Sequence, residues 1–323
     1  MTDSDMKQLY SARVLADSTN PHGVRLTTME LTYPRCIHAE FMTHRLFSRN
    51  AASSRAIPVK KMIERVEKNP FIPLHWGLNQ SGMQADNVHN NPRACEAMWL
   101  VACEEAVANA KAMNQNLKLH KQLTNRILEP WMWITVIASG INVAWENFFN
   151  LRCHVDAEPH IQHIAFMARE VYDSHKPNAL KEGEWHLPLT GFEGDEYLAD
   201  DVLKCVSTAR CARVSYLTHE GTRDITADME LHNRLAESGH WSPFEHVASA
   251  NYAPKSFSNF GDTWLHNRLA ESGHWSPFEH VASANYAPKS FSNFGDTWLH
   301  NRLAESGHWS PFEHVASANY APK

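Results

Sequence analysis

The last part of this 323-residue chain repeats itself letter for letter, and that limits what can fold here. Residues 231–264 read LHNRLAESGHWSPFEHVASANYAPKSFSNFGDTW. The same 34 residues recur unchanged at 265–298, and 299–323 repeats the first 25. A period of 34 is that of some helical solenoids. The unit lacks the solenoid's Trp, Gly, Tyr and Ala spacing, and it carries Pro243 and Pro254 inside. Repeats kept only for structure also drift, and these have not. The copies read as a recent duplication or an artefact. One fold has one place for such a segment, so the working unit is residues 1–264, and 265–323 is expected to dock poorly or stay partly disordered.

Composition is that of a globular protein with a sizeable core, at 43% hydrophobic and 20% charged residues. A net charge of −6 supplies no basic field, which argues against a polynucleotide partner. The acidic start Met1-Thr2-Asp3-Ser4-Asp5 has no apolar core of a leader, and no apolar run approaches the roughly 20 residues of a membrane span. Six cysteines form no C-x-x-C pair and read as scattered thiols of a reducing compartment, so the expected location is the cytoplasm. Of the 21 histidines, nine lie in the repeated segment, so the apparent metal-binding richness is largely copy number.

Along the chain, Val24 to Leu31 alternates like a strand, and residues 35–45 continue as a second apolar element. A short helix begins at Pro58 and runs to Val66, and 70–92 is a long surface loop. Pro92 to about Met113 predicts a helix with Ala94, Ala97, Met98, Val101, Ala102 and Ala106 on its apolar face. A helix over Leu117 to Leu128 and an apolar element from Trp131 to Ile141 follow. Trp145 to Leu151 leads to Arg152, and Ala157 to Tyr172 is amphipathic, with Ile161, Ile164, Ala165, Ala168 and Val171 inward. Residues 174–200 connect to a new unit at Cys205 to Tyr216. A helix over Ile225 to Glu237 with Asp224 as N-cap completes the pass. Helices outnumber strands, so the fold class is α+β.

Four stretches carry candidate chemistry. Thr43 to Arg55 holds three arginines, a histidine, three serines and an asparagine in thirteen residues. Guanidinium groups and hydroxyls at that density suit anionic oxygens. The alternative is an exposed turn in which Ser53 or Ser54 caps a helix. Arg152, in the stretch from Asn147 to Glu158, could equally pair with Asp156 or Glu158, worth under about 1 kcal/mol if exposed. Ala209 to Tyr216 could be a strand edge with solvated arginines. In His240 to His246, Ser242, Pro243 and Glu245 also fit a capping box. No metal is indicated, since neither His240, Glu245 and His246 nor His154, Asp156 and His160 has a ligand spacing such as H-E-x-x-H. A serine hydrolase elbow is missing as well.

Together these stretches resemble the flavin-dependent thymidylate synthases, the ThyX family. That family's signature is R-H-R, seven residues, then Ser. Thr43-His44-Arg45, residues 46–52 and Ser53 match all but the first arginine, and Arg55 follows as the family's next arginine does. Asn147 and Asn150-Leu151-Arg152 resemble the second signature. Arg213-Val214-Ser215-Tyr216 and Ser242-Pro243-Phe244-Glu245-His246 resemble the other two. The four motifs span residues 24–250. The RVS and PFEH elements follow the others here and precede them in the usual family member, so the chain looks like a circular permutant of a divergent, often phage-borne branch. Termini that lie close together make permutation tolerable.

The resemblance implies a mixed sheet with a helical bundle, a homotetramer with shared sites, and reductive methylation of dUMP to dTMP. Methylenetetrahydrofolate would supply the carbon, reduced FAD the hydride, and NADPH the electrons for the flavin, in bacterial or phage-infected cytosol. It implies Arg152 and Ser53 as catalytic residues. Ser53, Ser54, Arg55 and Arg152 would bind the nucleotide, and His44, Arg45, Asn147, Ser215, Ser242 and Glu245 the cofactor. Thr43 stands where the family keeps a cation. His154 and Asp156 occupy the family's Asp and His positions in swapped order, and the repeated 34-mer replaces a Trp/Gln/Arg-containing end. Two other outcomes stay open: a pyrimidine nucleotide hydroxymethylase on the same scaffold, and an inactive nucleotide- or flavin-binding protein.

Overall fold

A computed structural model describes residues 9–85, 87–218, 224–240 and 242–250, so the copies at 265–323 lie outside the described residues. Five strands, β1 (Ser11–Thr19), β2 (Arg25–Pro34), β3 (Ser48–Ala51), β4 (Trp133–Ile141) and β5 (Asn178–Ala179), form one sheet in the order β3-β4-β2-β1-β5. All neighbours are antiparallel except β1 and β5. With eight α-helices among the described residues, this mixed sheet agrees in kind with the α+β expectation.

The period of two along the strands divides the sheet between two cores. Met29, Leu31 and Tyr33 of β2 and Ile134, Val136 and Ala138 of β4 join the main hydrophobic cluster. Leu26, Ile137 and Ile141, on the alternate positions, join smaller clusters with Ala248 or with Cys211 and Val214. A strand covered on both faces reads as a largely apolar run, which is how Trp131 to Ile141 appears in the sequence despite Thr135, Ser139 and Gly140.

Three helices build the first face: α1 (His38–Met42), and, after α2 (Val59–Lys68), α3 (Pro92–Gln115) and α4 (Lys121–Thr124), the pair α5 (Asn142–Arg152) and α6 (Pro159–Ser174). Within the apolar stretch 35–45, residues 35–42 are helical and 43–45 begin a turn, and the predicted α6 face is buried at Ile161, Ile164, Ala165 and Ala168. Tyr172, beside the half-buried Val171, completes it. Glu158 caps α6 by accepting from the backbone N–H groups of His160 and Ile161.

The face predicted for α3 is corrected. Ala94, Ala97, Met98, Val101 and Ala102 are exposed, and Cys103, Val107 and Ala110 are buried against α2. Trp99 settles the rotation by packing on Trp131 and donating to the carbonyl of Phe71. The helix predicted over Leu117 to Leu128 is also corrected to the short α4 and a 3-10 segment, Asn125–Trp131. Lys118 sits at φ 53 and Pro130 lies inside the 3-10 segment, both hostile to a continuous α-helix.

The second face is covered by β6 (Trp185–His186), α7 (Asp200–Ala212) and β7 (Ala248–Ser249), with β6 and β7 paired and α8 (Ile225–Glu237) packed on α7. Asp224 caps α8 at Ala227 as the sequence predicts. The strand-edge alternative for Ala209 to Tyr216 is overturned. This stretch is the end of α7 and a 3-10 turn, and Arg210 is fully buried with both terminal nitrogens on Asp195 at 2.7 and 2.9 Å.

Candidate functional site

The turn between α1 and β3 brings the first two motifs together. Arg152, at the last position of α5, donates from Nε to Nε2 of His44 at 2.8 Å and from Nη2 to the Thr43 hydroxyl at 3.2 Å. Thr43 passes its own proton to the carbonyl of Glu40 at 2.6 Å. His44 is buried edge-on against Phe148, and burial, then Arg152 and Arg49, push its pKa down to about 3. The ring is neutral, accepts at Nε2, and so carries its proton on Nδ1. The alternative pairing of Arg152 with Asp156 or Glu158 is replaced by these bonds. Asp156 faces His154 instead, both exposed.

Arg49 brings a cation under the same turn. Its Nη1 donates to the carbonyls of Met42 and His44 at 2.9 and 3.2 Å. Arg45 is exposed at the start of the loop. Asn147, one turn before Arg152, has a buried Oδ1 without a partner among the described residues.

Neither Ser53 nor Ser54 caps a helix, since α2 starts after Pro58 with no side-chain cap. The backbone N–H of Ser53 donates to the carbonyl of Ser215 at 3.0 Å, so the third motif closes on the basic loop. The Ser54 hydroxyl is buried and committed to Glu129 at 3.1 Å, with its carbonyl held by Asn125 at 2.7 Å. Arg55 is exposed and makes no ion pair among the described residues.

The capping box at Ser242 is also overturned. Phe244–His246 is a 3-10 turn without a side-chain cap, and the Ser242 hydroxyl donates to Oδ1 of Asn50 at 2.7 Å. That contact spans 192 residues and places the half-buried Glu245 beside β3. Arg213 is held by Asp228 at 2.7 Å and so positions the turn carrying Ser215.

The structure thus gathers His44, Arg152, Ser53, Ser215 and Ser242 around β3 and its flanks. Asn50, Arg49 and Glu40 were not singled out in the sequence. Asn50 lay within the dense stretch, but a polar residue in a short strand carries no local mark of its distant partner. A groove of about 710 Å³ along α3, lined by Ala102, Ala106, Met113, Leu117 and Ile127, holds none of the motif residues. Among the described residues no group of three or more His, Cys, Asp or Glu could hold a metal, and no helix is long and apolar enough to cross a membrane.

No family model matches the chain, and no curated protein does. Solved structures with a similar arrangement include the UMP/dUMP methylase PolB from Streptomyces cacaoi bound with 5-Br UMP. It is 13% identical at a TM-score of 0.42, with 51% of this chain and 89% of that one covered. The same protein with 5-Br dUMP is matched at 14% identity and a TM-score of 0.38, where the similarity covers 46% of this chain and 65% of that one. The flavin-dependent thymidylate synthase ThyX from Helicobacter pylori, complexed with FAD and dUMP, is 17% identical at a TM-score of 0.32, with 46% and 67% covered.

Proposed function

We propose that residues 1–264 form an FAD-dependent thymidylate synthase of permuted order, which converts dUMP to dTMP with methylenetetrahydrofolate and NADPH. The convergence of its motifs carries this reading: Arg152 on His44, Ser53 on Ser215, and Ser242 on Asn50, across up to 192 residues of sequence. The donor set fits a flavin and a nucleotide. Asn50 Nδ2 and Asn147 Oδ1 are buried polar atoms without partners among the described residues, which a ligand's ring edges would satisfy.

Bound FAD would supply the hydride. Arg152 would then place fixed positive charge where charge builds on the uracil carbonyls, with its direction set by His44 and Thr43. The Ser53 hydroxyl and Arg55 would hold the phosphate, with Ser54 fixing their backbone through Glu129. Arg45, Ser215, Ser242 and Glu245 would face the cofactor. We further propose a cytoplasmic homotetramer. The exposed apolar face of α3, with Met98 and Val101, supports a subunit contact there.

The test is anaerobic incubation of the full chain with NADPH, methylenetetrahydrofolate and dUMP, following flavin absorbance and nucleotide mass. Bleaching of a bound flavin and a product of dTMP mass are expected. Protein without flavin that forms no dTMP overturns the proposal, and a product heavier by one oxygen would mark a hydroxymethylase.

A further inference from the structure

The second face of the sheet carries a chain of polar side chains that reaches the end of the fourth motif. Oγ of Ser18 lies 2.9 Å from Nδ1 of His186, and Nε2 of His186 lies 2.8 Å from Oγ1 of Thr28. Thr28 Oγ1 is 2.5 Å from Oγ of Ser139, its register partner on β4, and Ser139 Oγ is 2.8 Å from Nδ1 of His246. All five residues are buried, and burial keeps both imidazoles neutral, pushed down to about 3 for His186 and about 4 for His246. At the far end, Nε2 of His246 is buried without a partner among the described residues. Ser48, the register partner of Ser139 on β3, and Asn50 have the buried atoms Oγ and Nδ2 in the same condition.

A neutral imidazole has one N–H and one lone pair, and a hydroxyl has one hydrogen to give. Two buried hydroxyl oxygens at 2.5 Å must share a proton, because facing lone pairs would repel. The chain therefore has two consistent polarities. In one, His186 donates from Nε2 to Thr28, Thr28 to Ser139, and Ser139 to Nδ1 of His246, which leaves an N–H on the free Nε2. In the other every bond reverses, and that Nε2 presents a lone pair.

We propose that Ser18, His186, Thr28, Ser139 and His246 form a reversible hydrogen-bond wire that decides whether His246 offers a donor or an acceptor to a bound ligand. His186, Thr28 and Ser139 are its positioning residues. In either polarity the two histidines share one tautomer, Nε2–H in both or Nδ1–H in both. A ligand carbonyl or unprotonated ring nitrogen selects the first, and a ligand N–H selects the second. That the ligand is a flavin or a pyrimidine nucleotide rests on the function proposed above; the wire itself does not.

Long-range ¹H–¹⁵N NMR of the histidine-labelled full chain tests this, with FAD and dUMP added as separate probes. His186 and His246 are expected to share a tautomer in every state and to change together when a probe does so. Thr28→Val, which keeps the shape and removes the hydroxyl, should uncouple the two rings, so that a probe that fixes the tautomer of His246 no longer changes that of His186. If that variant does not fold, Ser139→Ala cuts the same chain. Opposite tautomers in the wild type, or a coupling that survives the cut, overturn the wire. Matched tautomers with neither probe binding would support the wire and count against the proposed function.

Discussion

Arg152 and His44, 108 residues apart, meet through a single charge-assisted bond of 2.8 Å from guanidinium Nε to imidazole Nε2. The histidine must be neutral for this bond to exist, and burial makes it so. The bond leaves part of the guanidinium available at the surface of the turn, because Arg152 is only half-buried.

On the proposed function, Arg152→Lys should therefore keep the fold and lose most of the turnover. A lysine has no fork with which to reach His44 and Thr43 together. Turnover should fall about 100-fold, the scale of losing one fixed donor at a developing charge, with the thermal midpoint nearly unchanged. Steady-state dTMP formation and a melting curve check this. Wild-type turnover in the variant would remove Arg152 from the chemistry.

Acid sensitivity should come from histidines. His44 and His186 are pushed down to about 3, and His38 and His246 to about 4, in each case chiefly by burial. The unfolded chain binds these protons below about 6.5 and the folded chain does not, so stability is full above that pH and is lost as pH falls toward the folded values. Urea midpoints should decline between pH 6.5 and 5, before most carboxylates protonate. A flat profile over that interval would show that these rings are not buried as described.

Asp228 should matter for stability more than any motif residue. It is fully buried between Arg210, at 3.4 Å, and Arg213, at 2.7 Å. Asp228→Ala leaves the buried Arg210 with Asp195 as its one carboxylate, beside the Leu189 carbonyl, and frees Arg213 and the turn that carries Ser215. Breaking a buried pair in this way costs about 3–5 kcal/mol. Urea unfolding would measure it, and a loss under about 1 kcal/mol would mean that water replaces the carboxylate.

Local signals were legible in the sequence and distant pairings were not. Asp224 capping α8 and the buried stripe of α6 follow from residues within one or two turns. On α3 two stripes competed, and the alanine-rich one lost because Trp99 anchors the other. Arg210 of α7 and Arg213 of the turn after it looked solvated because their carboxylates lie 15 residues away, Asp195 before and Asp228 after. For the candidate site, the dense basic stretch and the motifs singled out His44, Arg152 and Ser242 as candidates, and the structure gives each a distant polar partner. Asn50 and the chain ending at His246 depend on contacts over 107 to 192 residues, for which a single sequence holds no periodic or capping signal.

The basic loop also depends on a glycine that belongs to none of the motifs. A Cβ on Gly140 of β4 would lie 2.6 Å from Cδ1 of Phe47, whose ring stacks on Phe41 and packs against Trp145. Phe47 precedes β3 directly, so it anchors the turn that presents Thr43, His44 and Arg45. Gly140→Ala should push the ring out of this cluster at a cost of about 1–3 kcal/mol, typical of overpacking. Because the ring is tied to the turn, dUMP affinity should weaken along with stability. Phe47→Leu in the same chain makes room for the added methyl and should restore part of both. Calorimetric melting and dUMP titration of the single and double variants check the coupling. A Gly140→Ala protein with wild-type stability and affinity would show that the ring moves aside freely and does not set the turn.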